Sequence, residues 1–197
     1  MTYPSVLTFQ RGRRAALAVF TAFAVGAVAT ACGDDPFAIR WSENPDTILL
    51  YSLARPELNL YSGFNFQSRF PVTVEGATST GNWDVAVDTR GGQIVLLPPG
   101  ALGIDSRAGI AELPGELFDE VIEAPNDTAA YTSTDPVAMH LGSIYVVRTN
   151  QSIGGYGTRC VYYYKVQPLV IDPDGGTLTF KFDGSPVCND FKLIPPD

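Results

Sequence analysis

Three cysteines, one histidine and two methionines are the side chains of this 197-residue sequence with the most distinctive chemistry. A thiol can be acylated or oxidised to a disulfide, and an imidazole or thioether can ligate a metal. The sequence contains no recognisable set of nucleophile, base and orienting group, so we do not expect an enzyme. Whether these side chains carry lipid, form a disulfide or bind a metal depends on the sequence around each of them. The residues concerned are Cys32, Cys160, Cys188, Met139 and His140.

Cys32 directly follows a segment with the features of a secretion signal. Arginines at positions 11, 13 and 14 precede an apolar run of 14 residues from Ala15 to Val28, and three small residues then lead into the cysteine. The run is shorter than the roughly 20 residues that a membrane-spanning helix needs. We therefore predict a signal peptide over residues 1–31 rather than a transmembrane anchor.

The small residues before Cys32 resemble the lipobox of bacterial lipoproteins, with Ala29 at the position where Leu is usual. This resemblance implies cleavage before Cys32, acylation of its thiol with palmitate or a similar chain, and attachment to a membrane of the cell envelope, at the outer membrane or cell surface. An ordinary signal peptide cleaved after Ala31 is the alternative, and Arg13-Arg14 leaves twin-arginine export open. Residues 32–46 would form the acylated tether and residues 47–197 the folded domain.

The charge of the chain after residue 31 limits its partners. It contains 10 basic and 21 acidic residues, a net charge of −11. Such a surface repels phosphate backbones, so we expect no nucleic-acid partner. No polybasic segment could assist membrane binding either, and the acyl chains alone would supply the attachment.

Cys160 and Cys188 remain once Cys32 is assigned to lipid. An even number of cysteines in an oxidising compartment predicts a disulfide between them, with two free thiols as the alternative. The segment between them has the pattern of a hairpin, in which residues 161–171 and 177–183 flank the turn sequence Asp-Pro-Asp-Gly-Gly. The predicted disulfide would fasten this hairpin.

The register of this hairpin follows if its turn is centred on Asp174. Lys165 then lies opposite Asp183, Val170 opposite Leu178, and the same register continues to the two cysteines. Pro168 cannot donate a ladder hydrogen bond, which indicates an edge or a bulge at that position.

The other elements that could position these side chains also have strand patterns. Residues 83–88 alternate, with Trp83, Val85 and Val87 predicted on one side, and residues 143–149 form an apolar, β-branched run typical of a central strand. Gly and Pro interrupt the chain at short intervals, and only Leu117 to Glu123 could form a short helix. We predict one mostly β domain, an antiparallel β-sandwich or open barrel with at most one short helix.

A family resemblance rests on five short segments: residues 83–86, 117–121, 144–149, 163–166 and 175–180. Together, over roughly residues 82–182, they are similar to the HmuY-type haem-binding lipoproteins. The resemblance implies an all-β fold, a lipid anchor and haem held by side-chain axial ligands. Residues 151–159 are an insertion relative to that family, whose best-known binding mode uses two histidines.

His140 and Met139 are the candidate haem ligands, because His140 lies four residues before the strand at residues 144–149 and Met139 precedes it. Adjacent residues on a strand point to opposite faces, so both could ligate one iron only in an irregular loop. We therefore expect five-coordinate binding or a ligand from elsewhere. An exposed His at a loop edge is the alternative reading.

No further metal site is predicted. The carboxylates of Asp119, Glu120, Glu123 and Asp127 lack the spacing of a calcium loop and indicate a solvated acidic face. Two functions therefore stay open for this sequence: a lipoprotein that binds haem or another ligand, and a structural or interaction lipoprotein without a small-molecule site.

Overall fold

Short β-strands dominate residues 39–196, which are the residues that the computed structural model describes. The predicted signal peptide and Cys32 lie outside them. The strands are Asp46–Tyr51 (β1), Gly63–Asn65 (β2), Phe70–Val72 (β3), Val85–Arg90 (β4), Gln93–Leu97 (β5), Gly109–Pro114 (β6), Val137–Ala138 (β7), Ser143–Arg148 (β8), Ser152–Ile153 (β9), Arg159–Cys160 (β10), Tyr163–Asp172 (β11) and Thr177–Gly184 (β12).

The strands form two five-stranded antiparallel sheets and one small hairpin. Sheet A has the order β1-β12-β11-β8-β6, sheet B has the order β3-β2-β4-β5-β7, and β9 pairs with β10. Within residues 39–196 neither sheet closes on itself. The predicted β-sandwich is confirmed.

The main core lies between the two sheets, because every second residue of the paired strands points inward. Val85 and Val87 of sheet B pack there with Leu178, Phe180 and Phe182 of sheet A. Phenylalanine rings meet edge-on, with a distance of 4.9 Å between the ring centroids of Phe64 and Phe182. Such pairs add to the free energy gained by burying the rings.

Loops cover the outer faces of both sheets. On sheet A, Phe118 and Val121 pack over Val146 and Tyr163. On sheet B, Trp83 packs with Ala86, Val95 and Leu97, and Ala86 is fully buried although it points away from the main core. The strands at the centre of the molecule are therefore buried on both faces.

The prediction that Trp83 shares a side with Val85 and Val87 is wrong. Trp83 packs with the outer cluster of sheet B, whereas the two valines belong to the core between the sheets. The cause is Asp84, whose carboxylate accepts hydrogen bonds from the backbone N–H groups of Phe66 and Asn150. Strand β4 begins only at Val85, so the alternation does not extend back to the tryptophan.

The β11–β12 hairpin has the predicted register over half of its length. Lys165 pairs with Asp183 as expected, but beyond Pro168 the register shifts by one residue. Val170 therefore pairs with Thr179 rather than with Leu178. The predicted irregularity at Pro168 is present as this bulge, which lies beyond the last pair that β11 makes with β8.

Lys165 is buried beneath the turn that begins at Leu117. Its ammonium lies 4.7 Å from the centre of the Phe118 ring and 3.5 Å from the carbonyl oxygen of Val121. Burial lowers the pKa of Lys165, and the carboxylate of Asp183 opposes that shift. The amine therefore fastens the turn to the outer face of sheet A.

The candidate helix at Leu117 to Glu123 is a single turn. The backbone N–H groups of Glu120 and Val121 both bond to the carbonyl oxygen of Leu117, and no further helical turn follows. The other helical segments between residues 39 and 196 are three short 3₁₀ turns, Pro99–Leu102, Thr128–Ala130 and Gly155–Gly157. Within this range no helix is long and apolar enough to cross a membrane.

Candidate functional site

His140 belongs to a small polar cluster at the start of β8. Its Nδ1 lies 3.4 Å from Glu112 Oε1 and 3.3 Å from the hydroxyl oxygen of Tyr145. The His140 side chain is 54% exposed. A carboxylate beside Nδ1 favours the tautomer with the proton on that nitrogen, which leaves Nε2 as the basic, ligating nitrogen.

Tyr145 holds this cluster against the core. Its hydroxyl accepts a hydrogen bond from the backbone N–H of His140 at 3.0 Å and lies 2.9 Å from the carbonyl oxygen of Ala138. The side chain is fully buried between the sheets. Burial raises the pKa of Tyr145 to about 12, and the nearby Glu112 carboxylate also raises it. The phenol is therefore neutral at physiological pH and acts as a fixed hydrogen-bonding group beneath the imidazole.

The two candidate ligands occupy different environments. The backbone N–H of Met139 bonds to the carbonyl oxygen of Ile94, which continues the pairing of β7 with β5. This places the Met139 side chain in the core between the sheets, where it is only 5% exposed. Met139 therefore packs in the core. Of the two candidate ligands, only His140 is exposed to solvent.

Glu112 and Tyr145 were not singled out in the sequence as site residues. They meet because β6 pairs with β8, which places Glu112 opposite Tyr145 although the two are 33 residues apart. The only local sign was one acidic residue within the apolar stretch from Ile110 to Leu113. A single charge in a strand is ordinary on a solvated face, so this sign did not identify a partner.

The structure joins Cys160 to Cys188 by a disulfide with 5.0 Å between the Cα atoms, as predicted. The ladder between β11 and β12 ends at Tyr164 and Gly184, so the disulfide lies beyond it. It connects β10 to the segment that follows β12. The disulfide thus fastens the β9–β10 hairpin rather than only closing the β11–β12 hairpin predicted from the sequence.

The end of the β9–β10 hairpin, residues 153–157, projects two apolar side chains into solvent. Ile153 is 82% exposed and Tyr156 is completely exposed. Tyr156 adopts a left-handed backbone conformation, with φ of 57°. Gly154 permits the close approach of the disulfide, because a Cβ at this position would collide with the Cys160 sulfur. We call residues 153–157 the hairpin tip.

The acidic residues after Leu117 do not form a metal site. Asp119 lies 3.8 Å from the Lys181 ammonium, Asp127 accepts a hydrogen bond from the backbone N–H of Ala129, and Glu123 pairs with Lys192 through the backbone. Within residues 39–196 no group of three or more His, Cys, Asp or Glu side chains is arranged to hold a metal ion.

A cavity of about 240 Å³ lies at the C-terminal segment, and His140 does not line it. Pockets that enclose small ligands usually occupy about 300 to 1,000 Å³. The residues lining the cavity are Ile122, Glu123, Lys192, Ile194, Pro195 and Pro196. The His140 side chain is half-exposed, so a ligand bound there would remain in contact with solvent.

Comparison with protein-family models, with curated proteins and with solved structures finds no match for this chain.

Proposed function

We propose that this protein is a lipoprotein of the bacterial cell envelope, anchored through acyl chains on Cys32, whose β-sandwich binds a ligand at His140. The anchor is supported by the apolar run and the small residues that precede Cys32. One observation above all supports binding. The His140 imidazole is half-exposed and its Nδ1 faces the Glu112 carboxylate, so Nε2 is the nitrogen that would bind a metal.

Haem is the ligand class that this arrangement suits best. A neutral imidazole is a common axial ligand of haem iron, and a carboxylate partner makes the imidazole a stronger donor. The exposed side chain of Leu141, next to His140, offers an apolar surface for the edge of a flat ring. This candidate also agrees with the HmuY-type resemblance described from the sequence.

The competing proposal is an interaction lipoprotein with no small-molecule site. The exposure of His140 favours it, because a side chain that is 54% exposed is not enclosed by the walls of a pocket. A tightly held haem requires walls around the ring as well as an axial ligand.

Haem titration followed in the Soret region separates these two proposals. We expect saturable binding by the mature protein at micromolar haem, and His140→Ala should shift the Soret band and weaken affinity by at least about tenfold, as expected for loss of a metal ligand or its outer-shell support. Glu112→Gln should retain binding with reduced affinity, because it removes only the carboxylate beside Nδ1. The matched control is Met139→Leu, which changes the buried neighbour and should leave the spectrum unchanged.

Absence of saturable binding, or an identical spectrum for His140→Ala, would contradict the haem proposal. The interaction lipoprotein would then be the better account of the domain.

The lipid anchor has a separate test. Cys32→Ser should abolish incorporation of a labelled fatty acid and release the protein from membranes, because the thiol is the acylation site. One buried CH₂ contributes about 0.8 kcal/mol, so stable attachment requires more than one chain and is lost completely without the thiol. A Cys32→Ser protein that still carries fatty-acid label would refute the assignment.

A further inference from the structure

The hairpin tip lies at the end of sheet A where the chain enters β1. Asp46, the first residue of β1, pairs with Phe182 near the end of β12. The backbone N–H of Asn44 bonds to the carboxylate of Asp183 on the same strand. From Gly184 the chain continues to Cys188, whose disulfide holds the β9–β10 hairpin. The N-terminal tether and the hairpin tip therefore leave the domain from one end.

His140 lies at the other end of the same sheet. Strand β8 begins just after it, at Ser143, and runs to Arg148, which pairs with Tyr163 at the end where the chain enters. Six residues of β-strand span roughly 20 Å. The proposed ligand site and the hairpin tip are thus separated by the length of a strand.

The hairpin tip differs chemically from the rest of this acidic chain. No Asp or Glu occurs in the 36 residues from Pro136 to Ile171, which include the whole β9–β10 hairpin. The tip presents Ile153 and Tyr156, and Arg159 is exposed at its base. Glu43, Asp46 and Asp190 also lie at this end, but on the segment before β1, on β1 itself and on the segment after β12 rather than on the hairpin.

We infer that the hairpin tip rests on the surface of the membrane that carries the lipid anchor. An aliphatic side chain and a tyrosine suit the boundary between headgroups and acyl chains, where an aromatic ring can be buried while its hydroxyl remains hydrated. Arg159 can face lipid phosphates from the base of the hairpin. The disulfide keeps both side chains projected, so little conformational freedom is lost on contact.

This inference rests on the proposed lipid anchor and adds an orientation to it. With the tip on the bilayer, the His140 end of the sandwich points away from the membrane. The proposed ligand site would then face the aqueous space.

Quenching by brominated lipids tests the orientation. The acylated protein, carrying Trp41→Phe to remove that indole, is reconstituted in phosphatidylcholine vesicles that contain a dibrominated lipid. The remaining native tryptophan, Trp83, is 1% exposed. Tyr156→Trp reports on the tip. Tyr61→Trp is the matched control, because Tyr61 is exposed and lies at the opposite end of β1 from the hairpin tip. Its carbonyl oxygen accepts a hydrogen bond from the backbone N–H of Tyr51, the last residue of β1.

We expect Tyr156→Trp to be quenched several-fold more strongly than Tyr61→Trp. Adding Ile153→Ser to the Tyr156→Trp protein should reduce that quenching. Equal quenching of the two reporters in a protein that floats with the vesicles would overturn the orientation and leave the anchor intact. A protein that does not float with the vesicles would overturn the anchor and the orientation together.

Discussion

Loss of the Cys160–Cys188 disulfide is expected to lower the free energy of unfolding by about 3 to 4 kcal/mol. The two cysteines are 28 residues apart, and a cross-link over that distance strongly restricts the unfolded chain. For a domain of this size the melting temperature should fall by roughly 10 °C. Thermal and denaturant unfolding of Cys160→Ala, Cys188→Ala and the double variant would measure the effect.

The single and double variants provide an internal control. Because either substitution removes the whole cross-link, their effects should be equal and should not add. Reduction of the unmodified protein should reproduce the same loss. A double variant as stable as the unmodified protein, or single-variant effects that add, would contradict a closed disulfide.

The pH dependence of stability should carry a contribution from Asp84. This carboxyl is 3% exposed and receives backbone N–H bonds from Phe66 at 2.8 Å and from Asn150 at 2.7 Å. Phe66 follows β2 in sheet B, and Asn150 follows β8 in sheet A. Asp84 thus connects the two sheets at the end where the chain enters β1.

Burial raises the pKa of Asp84 from its ordinary value of 3.8 to about 6, although the two backbone hydrogen bonds oppose the shift. The folded protein therefore binds this proton more tightly than the unfolded chain does. The resulting stability is fully present below pH 3.8 and is lost as the pH rises through about 6. A shift of this size corresponds to about 3 kcal/mol between the two limits.

Asp84→Asn and Asp84→Ala would isolate this contribution. The difference in unfolding free energy between the unmodified protein and either variant should decrease by about 2 kcal/mol from pH 4 to pH 7. Both variants should in addition lose stability at every pH, because the Asn amide has a single oxygen that can accept only one of the two backbone N–H bonds and Ala accepts neither. For Asp84→Ala this loss should be about 1 to 3 kcal/mol. If the difference in unfolding free energy between the unmodified protein and the variants does not change with pH, a raised pKa of Asp84 is contradicted.

Local sequence signals identified the mostly β class, the strand at residues 143–149 and the hairpin that contains Lys165 and Asp183. Strands β2, β6, β7, β9 and β10 were not predicted. The pairing of Lys165 with Asp183 followed from opposite charges across the turn sequence Asp-Pro-Asp-Gly-Gly, although the pairs beside the turn are shifted by one residue. The pairing of the two cysteines followed from their number once Cys32 was assigned to lipid. Each of these conclusions depends on neighbours along the chain or on a count of residue types.

The bulge beyond Pro168 could be suspected but not placed. A proline shows that one ladder bond is missing, but it does not show on which side of the residue the register shifts. The shift changed the partner of Val170 from Leu178 to Thr179. Packing against the rest of the sheet decides between such registers, and that packing is not encoded in the hairpin alone.

The candidate site depended on tertiary pairing. Alternation predicted that Met139 and His140 point in opposite directions, but the pairing of β7 with β5 decided that Met139 enters the core. The contact between Glu112 and Tyr145 required β6 to lie beside β8.

Trp83 turned outward because two backbone N–H groups from different sheets converge on its neighbour Asp84. The sequence by itself determined the mostly β class, the position of the β11–β12 turn and the pairing of the cysteines, because those depend on local patterns and residue counts. Only the tertiary structure decided which side chains surround His140 and where Asp84 and the hairpin tip lie, because the groups that meet there are distant in the sequence.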